Sequence, residues 1–108
     1  MRVAILGAGA KGICMLNAMV QEGIDATVFE AQSVPGGVWT NTEVPYMSLQ
    51  LASRHYRFPD FPHPKSVDMA SASYVQRYMH RYIKHRGLDD YILYNTAVTG
   101  LEETGQGV

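Results

Sequence analysis

The sequence is short of cysteine: Cys14 stands alone in 108 residues, which excludes an internal disulfide and gives no sign of an oxidising compartment. No apolar run approaches the length of a membrane span, and no basic segment leads into a long apolar stretch at the N-terminus. Charge of one sign is lacking too. Nine Lys and Arg stand against ten Asp and Glu, a formal net charge of −1, so no global field favours nucleic acid or a membrane surface. These absences set the expectation of a cytoplasmic protein with neither nucleic acid nor membrane as partner. The four histidines (His55, His63, His80 and His85) have no cysteine or carboxylate at ligand spacing, so no metal site is expected.

What is present belongs to an ordinary folded domain. The chain is 46% hydrophobic and 18% charged, and its length allows one modest core. Val3 to Leu6 is a short, continuous apolar run of the kind that forms a strand buried on both faces. From Ala10 to Glu22 the spacing turns helical, with Ile13, Leu16 and Val20, and then Met15 and Met19, three or four residues apart; Gly23 suits a left-handed helix end. On this helix Cys14 is expected to pack as a small core residue. Residues 26–30, ATVFE, read as a second strand, which completes a βαβ unit.

Residues 31–69 hold all five prolines and five aromatics, among them Trp39, Tyr56 and Phe58. Such proline density rules out a regular helix or central strand, and the aromatics argue for a loop packed over something. A helix returns over about 71–86, where Tyr74, Val75, Tyr78, Met79, Tyr82 and Ile83 form one inward stripe. Asp68, Ser71 or Ser73 could cap its start, and Gly87 closes it. The basic residues Arg77, Arg81, Lys84 and Arg86 read as a solvated face whose charge suits the helix C-terminus. Tyr91 to Tyr94 is a third strand, and Ala97 to Leu101 a candidate fourth.

Between the first strand and helix lies Gly7-Ala8-Gly9-Ala10-Lys11-Gly12, a G-x-G-x-x-G turn. Gly7 permits the tight exit from the strand, and Gly9 lets bare amides approach a pyrophosphate. Gly12 lets the helix lie close to the sheet, and the helix N-terminus turns positive charge toward phosphate. Glu30, at the end of the next strand, stands where a carboxylate grips ribose hydroxyls and repels a 2′-phosphate, which disfavours NADP at this turn. The motif alone leaves open an NAD or an FAD pyrophosphate.

The residues beyond Glu30 discriminate between them. Gly36-Gly37-Val38-Trp39 resembles the second glycine signature of glutathione-reductase-like FAD proteins, and it looks like the N-terminal region of the flavin-containing monooxygenases and their Baeyer–Villiger relatives. The resemblance continues through Leu49-Gln50, Tyr56-Arg57-Phe58-Pro59-Asp60-Phe61-Pro62, the tyrosine-rich helix and Ile92 to Val98. The Leu-Gln and Phe-x-Asp-Phe-Pro elements are most like plant and fungal members.

The resemblance implies an α/β, partial Rossmann-like fold: βαβ plus a helix and third strand, the N-terminal half of a two-dinucleotide-binding FAD domain. Residues 1–108 would form one partial domain, with 31–69 lying over the cofactor site. Gly7, Ala8, Gly9, Ala10, Lys11 and Gly12 would surround the FAD pyrophosphate, and Glu30 and Ala31 would meet the adenosine ribose. Gly36, Gly37, Val38 and Trp39 would pass beside the cofactor, Trp39 either touching it or anchoring the loop. Leu49 and Gln50 would border the flavin ring.

No catalytic residue is assigned. Where several members carry an asparagine near the reactive face of the flavin, this chain reads Leu51-Ala52-Ser53. The family's second glycine motif, for NADPH, has no counterpart here. The expected function is therefore the FAD-binding portion of an NADPH-using monooxygenase acting on a small molecule. The alternatives are a non-catalytic remnant or subunit serving as an assembly module, and a small NAD-binding module. Half a doubly wound sheet exposes an edge and an apolar face, so a completing chain or a second copy is an expected partner.

Overall fold

The computed structural model describes residues 1–40, 48–49, 52–65 and 69–105. Three parallel strands form the sheet: β1 (Arg2–Leu6), β2 (Asp25–Phe29) and β3 (Ile92–Leu93), in the order β1-β2-β3. Two helices, α1 (Ala10–Gln21) and α2 (Ala72–Arg86), make the connections, with short 3-10 turns at Gly37–Thr40, Ser53–His55 and Asp89–Tyr91. The βαβ unit, the second helix and the third strand are thus where periodicity places them, and the fold is a partial Rossmann-like α/β unit. Gly23 and Gly87 take φ of 71° and 65°, ending α1 and α2 in the left-handed conformation that glycine adopts without a Cβ penalty. Of the three candidate caps for α2, Ser71 serves: its Oγ accepts from the Tyr74 amide at 3.2 Å.

Register divides the sheet into two unlike faces. Val3 pairs with Ala26, and Ile5 with Val28 and on to Ile92. These side chains join Ile13 and Leu16 of α1 and Val75, Tyr78, Met79, Tyr82 and Ile83 of α2 in one core. The opposite face carries Leu6, Phe29 and Leu93 in one row, with Leu6 and Leu93 53% and 47% exposed. A parallel sheet is ordinarily covered on both sides. Among the described residues, only one side of this sheet is covered.

Two expectations are corrected. Residues 94–105 hold no regular secondary structure, so Ala97 to Leu101 does not extend the sheet. Asn95 turns the chain with φ of 55°, and beyond Leu93 the Asn95 amide bonds to the Gln32 carbonyl and the Thr96 amide to that of Glu30. Cys14 is exposed rather than buried. One position on from Ile13, the 3.6-residue turn carries it off the stripe that packs on the sheet.

The proline-rich stretch packs on α2 through aromatic stacking. Phe58 lies 3.9 Å from the Tyr82 ring at 11° and 5.8 Å from Tyr78 at 20°. The Tyr78 hydroxyl accepts from the Phe58 amide at 2.9 Å and donates to the Phe61 carbonyl, fixing the loop by main-chain bonds as well. Burial raises the hydroxyls of Tyr78 and Tyr82 above the usual tyrosine range, the Phe58 amide opposing the shift at Tyr78 and nearby groups adding to it at Tyr82. A raised folded-state value means the folded protein holds these protons more tightly than the unfolded chain. Their contribution is therefore complete below about pH 10, the unfolded tyrosine value, and is lost as pH climbs through the higher folded values. Denaturant midpoints should fall as pH rises above that value, and Tyr78→Phe should flatten the fall. A midpoint that rises through the same window contradicts the packing.

Candidate functional site

The exit from β1 is built on backbone that glycine alone tolerates. Gly7 has φ of 98° and donates its amide to the Phe29 carbonyl at 2.9 Å. A Cβ on Gly12 would overlap the Gly7 carbonyl oxygen, so the first turn of α1 can lie against the strand exit only with glycine there. The helix then opens without help. Gly9, its N-cap, has no side-chain capping bond, and no acidic residue occupies the first turn. The first intrahelical bond runs from the Ile13 amide to the Gly9 carbonyl, which leaves the amides of Gly9, Ala10, Lys11 and Gly12 without a partner among the described residues.

A second backbone segment closes the other side. Gly36 (φ of 132°) donates its amide to the Ala8 carbonyl at 2.9 Å, and Gly37 (φ of 57°) brings its main chain against Gly9. A Cβ on Gly37 would sit 3.2 Å from the Gly9 Cα, and one on Gly9 would sit 3.7 Å from the Gly37 Cα. The glycine pair therefore meets the first glycine turn itself. The chain continues into the Gly37–Thr40 turn, where Thr40 Oγ1 donates to the Gly37 carbonyl at 2.7 Å. Trp39 reaches across, its Nε1 donating to the Tyr56 hydroxyl at 2.9 Å with the rings edge-on.

These segments enclose an open cavity of about 520 Å³. Of the residues singled out in the sequence, Gly7, Gly9, Ala10, Lys11, Gly12, Gly36, Gly37, Val38 and Trp39 all line it. Ala8 and Glu30 stand behind it: Glu30 is 7% exposed, its Oε1 accepts from the Ala8 amide at 2.7 Å, and its Oε2 from the Gln32 amide at 2.9 Å. Ala31 is exposed beside them. Leu49 is buried away from the cavity wall, with its amide on the Ala70 carbonyl, and Gln50 lies outside the described residues.

Two features escaped the sequence reading. Tyr56 lines the cavity and holds Trp39, and its place in the aromatic stretch was the available signal. Glu30 also braces the glycine turn from within the protein, a role its position at a strand end does not separate from ribose binding.

Chemically, the cavity offers unpaired amides, a helix N-terminus and the Lys11 ammonium, with no carboxylate on its wall among the described residues. That set suits an elongated anion. The buried carboxylate of Glu30 braces the turn from within the protein. Glu30→Gln would set an NH2 group against one of the two amides, and should cost about 1–3 kcal/mol in denaturant unfolding. Stability equal to the parent chain's contradicts the bracing role.

Comparison with known proteins gives the family. The family described as flavin-binding monooxygenase-like matches residues 1–106. Probable flavin-containing monooxygenase 1 of Arabidopsis thaliana is 34% identical over 109 residues, covering 98% of this chain and 20% of that protein. The chain thus spans about a fifth of the length of the curated relatives it matches. Among solved structures, S-allyl-L-cysteine S-oxygenase from Allium sativum superposes with a TM-score of 0.82 at 22% identity, over 97% of this chain and 30% of that one. OTEMO, solved in complex with FAD and NADP, superposes with a TM-score of 0.79 at 27% identity, over 91% of this chain and 19% of that one.

Proposed function

The chain belongs to the flavin-binding monooxygenase-like family, and on that premise we propose that the glycine cavity holds the adenosine-diphosphate half of FAD. The observation that carries the reading is the group of unpaired amides at Gly9 to Gly12, faced by main chain at Gly37 with no side chain between. A pyrophosphate needs donors at close range and tolerates no Cβ in its path. Lys11 adds charge at the same mouth. Each oxygen of Glu30 takes one amide and keeps acceptor capacity, which a ribose hydroxyl would use.

In this reading Trp39 and Tyr56 form the far wall, where the cofactor passes out of the glycine turn. Val38, 63% exposed, borders the same opening. Bound FAD would supply redox chemistry to the whole protein, which we read as an NADPH-using monooxygenase of a small molecule. The work of this chain is to bind, to orient and to exclude water from the pyrophosphate. The uncovered row of Leu6, Phe29 and Leu93 belongs to the same proposal, as the face on which further chain, a partner or a second copy completes the doubly wound sheet. A relative solved with both FAD and NADP supports the cofactor choice.

Gly9→Ala and Gly9→Trp separate fold from ligand. The alanine Cβ meets the Gly37 Cα at ordinary contact distance, so that variant should fold, and its flavin should fall less than that of the tryptophan variant because one methyl intrudes on the pyrophosphate path. The indole of Gly9→Trp would fill the cavity, and the flavin released by heat from the purified native protein should fall about tenfold or more, equivalent to at least about 1.4 kcal/mol of binding. Full flavin in Gly9→Trp, with circular dichroism unchanged, refutes the assignment.

A further inference from the structure

Beside the glycine cavity lies a second one, of about 250 Å³, that the dinucleotide reading does not use. It opens between the first turns of α1, the loop from His55 to Pro59, and the middle of α2. Its floor is apolar: Phe58, Tyr78 and Met79, all buried. The Tyr78 hydroxyl is already committed on both sides, accepting from the Phe58 amide and donating to the Phe61 carbonyl, so the floor presents no free polar group. The rim carries Lys11, His55 and Arg57, all exposed. Lys11 has no partner among the described residues. Arg57 spends one of its five N–H donors on the Pro59 carbonyl at 3.1 Å. Among the described residues no acidic one lines the cavity, and the nearby carboxylate of Asp60 is held by Arg86 and by the Tyr82 hydroxyl.

A hydrophobic floor under uncompensated cations fits one class of ligand. We propose that this cavity binds a small aromatic carboxylate, with its ring on Phe58, Tyr78 and Met79 and its carboxylate at Arg57. The volume lies below the usual range of about 300–1,000 Å³ for drug-sized ligands, which limits the occupant to one or two fused rings. Guanidinium and carboxylate make the short, charge-assisted pair that Arg57 has donors left to form. Lys11 borders both cavities, whereas Arg57 borders only this one, so Arg57 isolates the new site from the cofactor site.

Cys14 supplies the readout. It is exposed, it lies on the wall of this cavity, and it is the one cysteine of the 108 residues. The probe is 2-naphthoate, with uncharged 2-naphthalenemethanol as its neutral counterpart, and the reaction is alkylation of Cys14 by iodoacetamide in the native protein, followed by mass of the Cys14 peptide. Naphthoate at about ten times its dissociation constant should slow alkylation about tenfold, by occupancy of the one site. The alcohol should need about tenfold more for the same protection, the worth of one charge-assisted contact. Arg57→Gln should bring naphthoate down to the alcohol's level with heat-released flavin unchanged, while Arg77→Gln on the outer face of α2 should leave protection intact.

No protection by naphthoate overturns the site. Equal protection by acid and alcohol in the parent protein overturns the anion selectivity without needing any variant. Loss of flavin in Arg57→Gln would show that the two cavities are one site and overturn the separation drawn here.

Discussion

Main chain must meet main chain at Gly9 and Gly37, and much of the architecture follows from that constraint. A side chain at Gly37 would stand 3.2 Å from the Gly9 Cα, in a backbone conformation that L-residues rarely adopt. The contact holds the start of α1 beside the turn that leaves β2, while the bond from the Gly36 amide to the Ala8 carbonyl locks the two together. Glu30 completes the arrangement from below by accepting the Ala8 amide. The glycine turn, Glu30 and the Gly36-Gly37 pair are thereby fixed around one cavity. The amides at the opening of α1 have no partner among the described residues, and in the proposed reading a diphosphate would take them.

The tyrosine-rich helix plays the supporting part. Its inward stripe, Val75 through Ile83, joins α1 in the core beneath the sheet's covered face, and Tyr78 and Tyr82 carry the proline-rich loop by ring contacts with Phe58 and Phe61. That loop brings Tyr56 to Trp39. The indole is held by a hydrogen bond to a separate segment, and both rings line the cavity. Of the two readings of Trp39, this bond supports the loop anchor, and contact with the cofactor belongs to the proposal.

Most of the fold was legible because strict spacing has few solutions. The apolar run of β1, the three-and-four spacing of α1 and α2, and the glycines at positions 23 and 87 each point to one local structure, and the structure has it. The fourth strand failed because Ala97 to Leu101 has apolar residues but no neighbour to pair with once Asn95 turns the chain. Cys14 failed because its neighbours on both sides in sequence are apolar, while a helix buries by angle rather than by adjacency. At the site, the glycines were readable from their spacing. That Gly36 and Gly37 pack on Gly9 was not, since contact between two turns 28 residues apart leaves no periodic trace. The brace from Glu30 to Ala8 was hidden for a related reason: one carboxylate can serve a ligand and its own backbone, and sequence shows only the carboxylate.

The central claim is that the amides of the α1 N-terminus receive the diphosphate of FAD. Amide proton–nitrogen correlation spectra of the native apoprotein, recorded during titration with FAD, ADP and FMN, test it most directly. The account predicts that FAD and ADP shift the same signals, Gly9 to Gly12 and Gly37, and compete with one another, while FMN, which lacks the adenosine half, leaves them in place. Shifts confined to other segments with FAD, or FMN displacing ADP from this turn, would contradict it.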